Sequence, residues 1–212
     1  MKTGLIIMAL KKHLILSNMK VLLLDADGVV LKKDEYFSKK FTRDFALSEE
    51  EVLVFFKNEY GRCQSGELDL KEELVPYLEN WGWSGTVEDF LEYWFSRDVV
   101  INDFLVPIVE QLRDSGVKCY LASNNEKYRA ERIRKVLEEV EMLDGYYFSS
   151  ALKVKKNDPL FFSKILEDLK VTASEVIYLD NDQINLDSAK TLGIETHLYT
   201  DEKIQSLLTK HN

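Results

Sequence analysis

Cysteine is nearly absent from this 212-residue chain: there are two, Cys63 and Cys119, with no CxxC spacing. That excludes a disulfide framework and a zinc knuckle. It is the pattern of a reduced, intracellular protein. Histidine is almost as scarce, and the three present, His13, His197 and His211, stand apart from one another and from any candidate nucleophile. A Ser-His-Asp hydrolase or a multi-histidine metal site is therefore disfavoured. Positive charge is also short, with 28 Lys and Arg against 37 Asp and Glu for a net charge of −9. The global field thus opposes binding to nucleic acid or to an anionic membrane. A phosphate can still bind locally, where a metal ion or a helix N-terminus supplies positive charge.

No apolar run approaches the ~20 residues of a membrane span. The apolar stretch 4–10 precedes Lys11-Lys12-His13, the reverse of the order in a signal peptide. Residues 1–18 read as an N-terminal extension or an overcalled start, and the expected location is cytoplasmic. Nine glycines and three prolines leave room for mostly regular structure with short connections.

What is present is an alternation of buried strands and amphipathic helices. Residues 20–24, 117–122, 146–149, 176–179 and 195–199 read as strands, and Val21-Leu22-Leu23-Leu24 is a continuous apolar run of the kind buried on both faces of a parallel sheet. Residues 104–115, 126–140, 158–169 and 185–192 read as helices, with Pro107 and Pro159 in first turns and Gly116 and Gly193 just past the ends. The expected fold class is α/β, a Rossmann-like, doubly wound parallel sheet. Residues 19–32 and 103–212 form that core. Residues 33–102 are too long for one crossover connection. They have helical texture and hold Phe55, Phe56, Tyr60, Tyr77, Phe90, Tyr93, Phe95 and the three tryptophans, Trp81, Trp83 and Trp94. They read as an inserted helical cap, its aromatics mainly its own core.

Ligands bind beyond the carboxyl ends of such strands, and the loops there are polar: Asp25-Ala26-Asp27-Gly28, Ser123-Asn124-Asn125, Lys153 to Pro159, and Asp180-Asn181-Asp182. Each alone has a plain reading as a turn, a helix cap or a solvated loop. Together they form one chemistry. Asp25 and Asp27 reach one small volume, and Asp180 and Asn181 add oxygen ligands, a set that suits Mg²⁺. A carboxylate can attack phosphorus, and a second acid two residues on can protonate the leaving alkoxide. Ser123 and a lysine can hold the phosphoryl oxygens.

The chain resembles the haloacid dehalogenase-like hydrolase superfamily, subfamily I, over about residues 20–200. The matching motifs are Leu24-Asp25-Ala26-Asp27-Gly28-Val29, Leu121-Ala122-Ser123-Asn124, Lys156-Asn157-Asp158-Pro159 and Tyr178-Leu179-Asp180-Asn181-Asp182 running on to Leu192-Gly193-Ile194. The resemblance implies Asp25 as nucleophile and Asp27 as general acid/base, with the Asp27 carbonyl on the metal. It implies Ser123 and the Asn124 amide on phosphate, and Lys156 between nucleophile and phosphate. The style is similar to small sugar-phosphate phosphatases and to the phosphatase domain of bifunctional epoxide hydrolases.

There are two departures. Asn157 stands where proline is usual, with Lys153 and Lys155 close enough to compete with Lys156 for the active role. Asn181 stands where a second acid usually touches the metal. The implied function is a Mg²⁺-dependent phosphatase of small phosphate monoesters, sugar phosphates among them, acting through an aspartyl phosphate. Its expected partner is a small phosphorylated metabolite, with no nucleic acid and no membrane. The alternatives are a 2-haloacid dehalogenase, which has no use for Asp27, and a catalytically impaired binding or regulatory protein.

Overall fold

Val21–Leu24 (β1) is buried along its whole length, and its side chains alternate between two helical layers. Leu22 and Leu24 join one cluster, with Ile108, Val109 and Leu112 of helix α6 (Val106–Asp114), Ile133 and Leu137 of α7 (Lys127–Glu138), and Ile204 and Leu207 of α11 (Asp201–Leu208). Val21 and Leu23 join the other, with Phe161, Phe162 and Ile165 of α9 (Pro159–Leu169) and Leu186 and Ala189 of α10 (Gln183–Lys190). Each fully buried Leu or Phe contributes roughly 1.5–3 kcal/mol, so this two-faced burial fixes β1 as the central strand.

The computed structural model describes residues 19–32 and 35–208, so the proposed extension 1–18 lies outside the described residues. The sheet is all parallel. Its other strands are β2 (Lys118–Ser123), β3 (Gly145–Phe148), β4 (Val176–Asp180) and β5 (Glu195–Leu198), in the order β3-β2-β1-β4-β5. Leu24 pairs with Leu121 on one side and Leu179 on the other, so the loops after β1, β2 and β4 leave the sheet side by side. The chain reverses direction across the sheet at β1, the switch point where open α/β sheets place ligands.

Between β1 and α6 lie five helices: α1 (Phe37–Phe45), α2 (Glu49–Asn58), α3 (Tyr60–Gln64), α4 (Leu70–Asn80) and α5 (Val87–Asp98). Ser48 with Glu51 and Thr86 with Asp89 make capping boxes that start α2 and α5. These helices share an aromatic-rich cluster of their own, including Phe41, Phe55, Trp81, Phe90 and Trp94. The two crossings into the sheet are tied together, with the Lys32 amide donating to the Val100 carbonyl and the Asn102 amide to the Val30 carbonyl, both at 2.8 Å.

The final helix α11 and the one-turn helix α8 (Ser149–Leu152) have no counterpart in the sequence reading. Among the described residues, no helix is long and apolar enough to cross a membrane.

Candidate active site

Asp25 follows β1 directly, its amide bonded to the Leu179 carbonyl at 3.0 Å, which holds it at the sheet's carboxyl edge. Gly28 then takes φ 82, a left-handed conformation that glycine reaches without strain. It turns the chain back so that Asp27 and Leu31 form a bridge. Asp25 and Asp27 thereby face the same volume.

Of the three lysines, Lys156 is the one whose side chain contacts Asp25. It is 2% exposed, and its ammonium donates to Asp25 Oδ1 and, at 2.8 Å, to Asp180 Oδ2. Lys153 instead takes a left-handed backbone and donates to the Gly66 carbonyl at 2.7 Å. Lys155 sends its Nζ toward Gly61. Burial is the largest influence on Asp25 and pushes its carboxyl up to about 7, against the pull of the Lys156 ammonium. Burial disfavours the charged ammonium of Lys156, but Asp25 and Asp180 outweigh it and hold it above the ordinary lysine value. The pair is a buried ion pair whose attraction offsets the desolvation cost fully at Lys156 and only in part at Asp25.

Asp180, expected among the metal ligands, faces Lys156. Its Oδ2 accepts from Lys156, from the Tyr178 hydroxyl and from Asn185 Nδ2, and its Oδ1 accepts from the Asp182 amide at 2.7 Å. Both oxygens are thus engaged, Oδ2 with the lysine and Oδ1 with the backbone of its own loop. Asp182 caps α10 through the Ile184 amide, so it serves that helix.

Asn181 does reach the site: its Nδ2 donates to the Asp27 main-chain carbonyl at 2.8 Å. Ser123 Oγ accepts from Asn125 Nδ2 at 2.7 Å, which leaves its own proton free for an incoming oxygen. Asn124 uses its side chain to receive the Lys156 amide at 2.9 Å, which fixes the lysine loop. The cap of α7 is Glu126, whose carboxylate accepts from the Tyr128 and Arg129 amides at 2.7 and 2.6 Å. Burial pushes Glu126 up to about 7 despite those two bonds.

The sequence reading missed Arg129. It is 5% exposed and grips Asp27 with both Nη atoms, at 2.6 and 2.8 Å. Its Nη1 also donates to Asn125 Oδ1 at 2.6 Å, which links Ser123, Asn125, Arg129 and Asp27 in one chain of hydrogen bonds. Burial works against the Arg129 charge, but Asp27 outweighs it and raises the guanidinium further above its usual range.

The donor set fits a hard cation. Among the described residues there is no group of three or more His, Cys, Asp or Glu that could hold a metal. The available oxygens are of mixed type: Asp25 Oδ2, which takes no hydrogen bond from a described residue, the Asp27 carbonyl, and the Asn181 amide once turned over. The 2.8 Å contact between Asn181 and the Asp27 carbonyl already brings two of the three together. One carboxylate with two neutral oxygens suits Mg²⁺, which keeps several waters and needs few protein ligands.

Residues 19–193 match the family model for haloacid dehalogenase-like hydrolases. The sesquiterpene phosphatase astK of Aspergillus oryzae is 23% identical over 90 residues, 42% of this chain and 46% of that protein. The chain thus spans about half the length of that curated relative. A haloacid dehalogenase-family enzyme from Bacteroides thetaiotaomicron, solved as the wild-type protein with magnesium and inorganic phosphate, has TM-score 0.70 at 23% identity over 86% of this chain and 95% of that one. An L-2-haloacid dehalogenase from Xanthobacter autotrophicus, with chloropropionic acid covalently bound, has TM-score 0.62 at 18% identity over 84% of this chain and 76% of that one. At these identities the two structures speak to the fold.

Proposed function

The chain belongs to the haloacid dehalogenase-like hydrolases, and on that premise we propose that it is a phosphatase that hydrolyses phosphate monoesters through an aspartyl phosphate, with Mg²⁺ as cofactor. The observation that carries this reading is the Asp25–Lys156 ion pair at the end of β1 with Asp27 two residues on. Asp25 Oδ2 is the attacking oxygen and forms the bond to phosphorus as the bond to the alkoxide breaks. Asp27 in its acid form gives that alkoxide its proton and is left as the carboxylate that Arg129 grips. It then takes a proton from the water that cleaves the aspartyl phosphate, which restores the acid form for the next turnover. The Ser123 hydroxyl and the Asn124 amide donate to the phosphoryl oxygens, and Lys156 balances their charge.

Asp25, the Asp27 carbonyl and Asn181 would hold Mg²⁺, which when bound supplies charge neutralisation at the phosphoryl group. The five helices between β1 and α6 serve as a cap that keeps other water out. They rest on the sheet edge through Gln64, whose Nε2 donates to the Asn124 carbonyl at 2.9 Å and whose carbonyl accepts from Ser149 Oγ at 2.6 Å. The relative from Aspergillus oryzae, a phosphatase by name, supports this reaction class. A dehalogenase leaves Asp27 and its arginine without work.

The test is hydrolysis of p-nitrophenyl phosphate with and without Mg²⁺ by the wild type and by Asp25→Asn. The reading expects Mg²⁺-stimulated turnover in the first and a loss of at least about a thousandfold in the second. Comparable activity in both would reject it.

A further inference from the structure

Beside Asp27 and Arg129 opens a cavity of about 710 Å³, within the range that accepts drug-sized organic molecules. Its far wall is apolar and aromatic. Leu53, Phe56 and Tyr60 line it at a spacing of three and four residues, one face of α2 running into α3. All three are only half-buried, whereas Val52 and Phe55 are fully buried in the helical cluster. This helix therefore has two apolar faces, one fully buried in the cluster and one that packs on it only in part and turns the rest toward the cavity.

Ring contacts brace this half-buried face. Phe56 meets the ring of Trp94, also a lining residue, edge-on at 5.4 Å, and Phe37 stacks on that same ring at 4.7 Å. Of the other charged residues that line the cavity, Lys32, Glu35, Lys39 and Glu49 are exposed, while the half-buried Lys40 pairs with Asp44 and the half-buried Asp98 accepts from the Trp94 indole at 3.0 Å. Against the wall of Leu53, Phe56, Tyr60 and Trp94 a sugar would meet rings and aliphatic carbon where its hydroxyls need partners, at the desolvation cost of each unpaired group.

We propose that the leaving group of the substrate is an apolar alcohol, so that the natural ligand is a phosphate monoester with its phosphate at Asp25 and its hydrocarbon against Leu53, Phe56, Tyr60 and Trp94. This rests on the phosphatase reading for the phosphate end and on the cavity alone for the hydrocarbon end. An alkoxide of this kind is a poor leaving group, so the acid Asp27 at the cavity's inner end is where its chemistry requires a proton donor.

The experiment is calorimetric titration of the full chain, with Mg²⁺ present, against non-hydrolysable n-alkylphosphonates from methyl to octyl, all below their micelle-forming concentrations. Alongside it, octyl phosphate and glucose 6-phosphate are compared as substrates. The expected result is an affinity that rises roughly fourfold per methylene, a series flattened by Leu53→Asp, and a higher kcat/KM for octyl phosphate. Chain-length dependence without hydrolysis of any ester would keep the apolar site and remove the phosphatase reading. Hydrolysis of p-nitrophenyl phosphate with affinity flat from methyl to octyl, or with glucose 6-phosphate preferred, would overturn the apolar site and leave the phosphatase reading intact. The wild-type series decides the matter even if Leu53→Asp does not fold.

Discussion

Arg129 and Asp27, 102 positions apart in sequence, are joined by two parallel bonds, Nη2 to Oδ1 at 2.6 Å and Nη1 to Oδ2 at 2.8 Å. A fork of this kind fixes the plane of a carboxylate as well as its position. Lysine offers a point charge and cannot reproduce it. Arg129→Lys is therefore expected to lower kcat roughly tenfold or more on alkyl phosphates. The loss for p-nitrophenyl phosphate, which needs little protonation, should be smaller. A loss equal for both substrates would mean that Arg129 supports the fold and not the orientation of Asp27. Asp27 is 32% exposed in its side chain, so the stability cost of Arg129→Met should fall below the 3–5 kcal/mol of a fully buried pair, at about 2 kcal/mol by chemical denaturation.

Asp27→Asn removes the proton donor and keeps the shape. A general acid is worth about a hundred- to ten-thousandfold, and alkyl phosphates should lose within that range while p-nitrophenyl phosphate loses far less. Equal losses would assign Asp27 to structure or to the cation.

Asn181→Asp places a carboxylate against the Asp27 carbonyl, where the amide now donates at 2.8 Å. Without a cation the two oxygens repel. With Mg²⁺ at its usual contact distance of about 2 Å they become ligands. The variant should melt below the wild type in chelator and gain more from added Mg²⁺, with half-maximal activity at lower Mg²⁺. Asp182→Asn should change neither quantity, because Asp182 caps α10 and asparagine caps nearly as well. An unchanged Mg²⁺ response in Asn181→Asp would move the cation off this loop.

Glu126 makes stability depend on pH. Its carboxyl is raised from 4.5 to about 7 by burial. A raised folded value means that the contribution is fully present below about 4.5 and is lost as pH rises to about 7. The loss is on the order of 3 kcal/mol. Glu126→Gln keeps one acceptor oxygen for the Tyr128 and Arg129 amides, gives up the other, and abolishes the ionisation. Denaturation at pH 5 and pH 8 should show a smaller difference for the variant than for the wild type. An identical difference would mean that Glu126 ionises in the folded state at no cost.

The central sheet was legible because β1 and β4 are continuous apolar runs, and the site loops were legible because polar residues follow those runs directly. The short strand β3 and the edge strand β5 are half-exposed, which blurs their ends. Arg129 was invisible for a different reason. It lies in a helix rich in charge, where an arginine reads as a solvated face, and only the turn at Gly28 brings Asp27 within its reach. Its one sequence signal was its place in the first turn of the helix that follows the Ser123 loop. Lys156 could not be told from Lys153 and Lys155 by spacing, since three lysines within four positions share one loop and only the folded contacts, Lys153 on the Gly66 carbonyl and Lys156 on Asp25, separate them. The strand-end position of Asp180 was legible, but its contacts were not: Oδ2 is held by Lys156, Tyr178 and Asn185 and Oδ1 by the Asp182 amide, at distances no motif encodes.

The most direct measurement is acid quench of the enzyme during turnover of p-nitrophenyl phosphate, followed by mass mapping of the peptide that spans residues 20–32. The account predicts one phosphoryl group on Asp25, absent from Asp25→Asn and lost on mild alkaline treatment as an acyl phosphate should be. Steady release of inorganic phosphate with no phosphorylated Asp25 at any quench time, together with activity retained in Asp25→Asn, would contradict it.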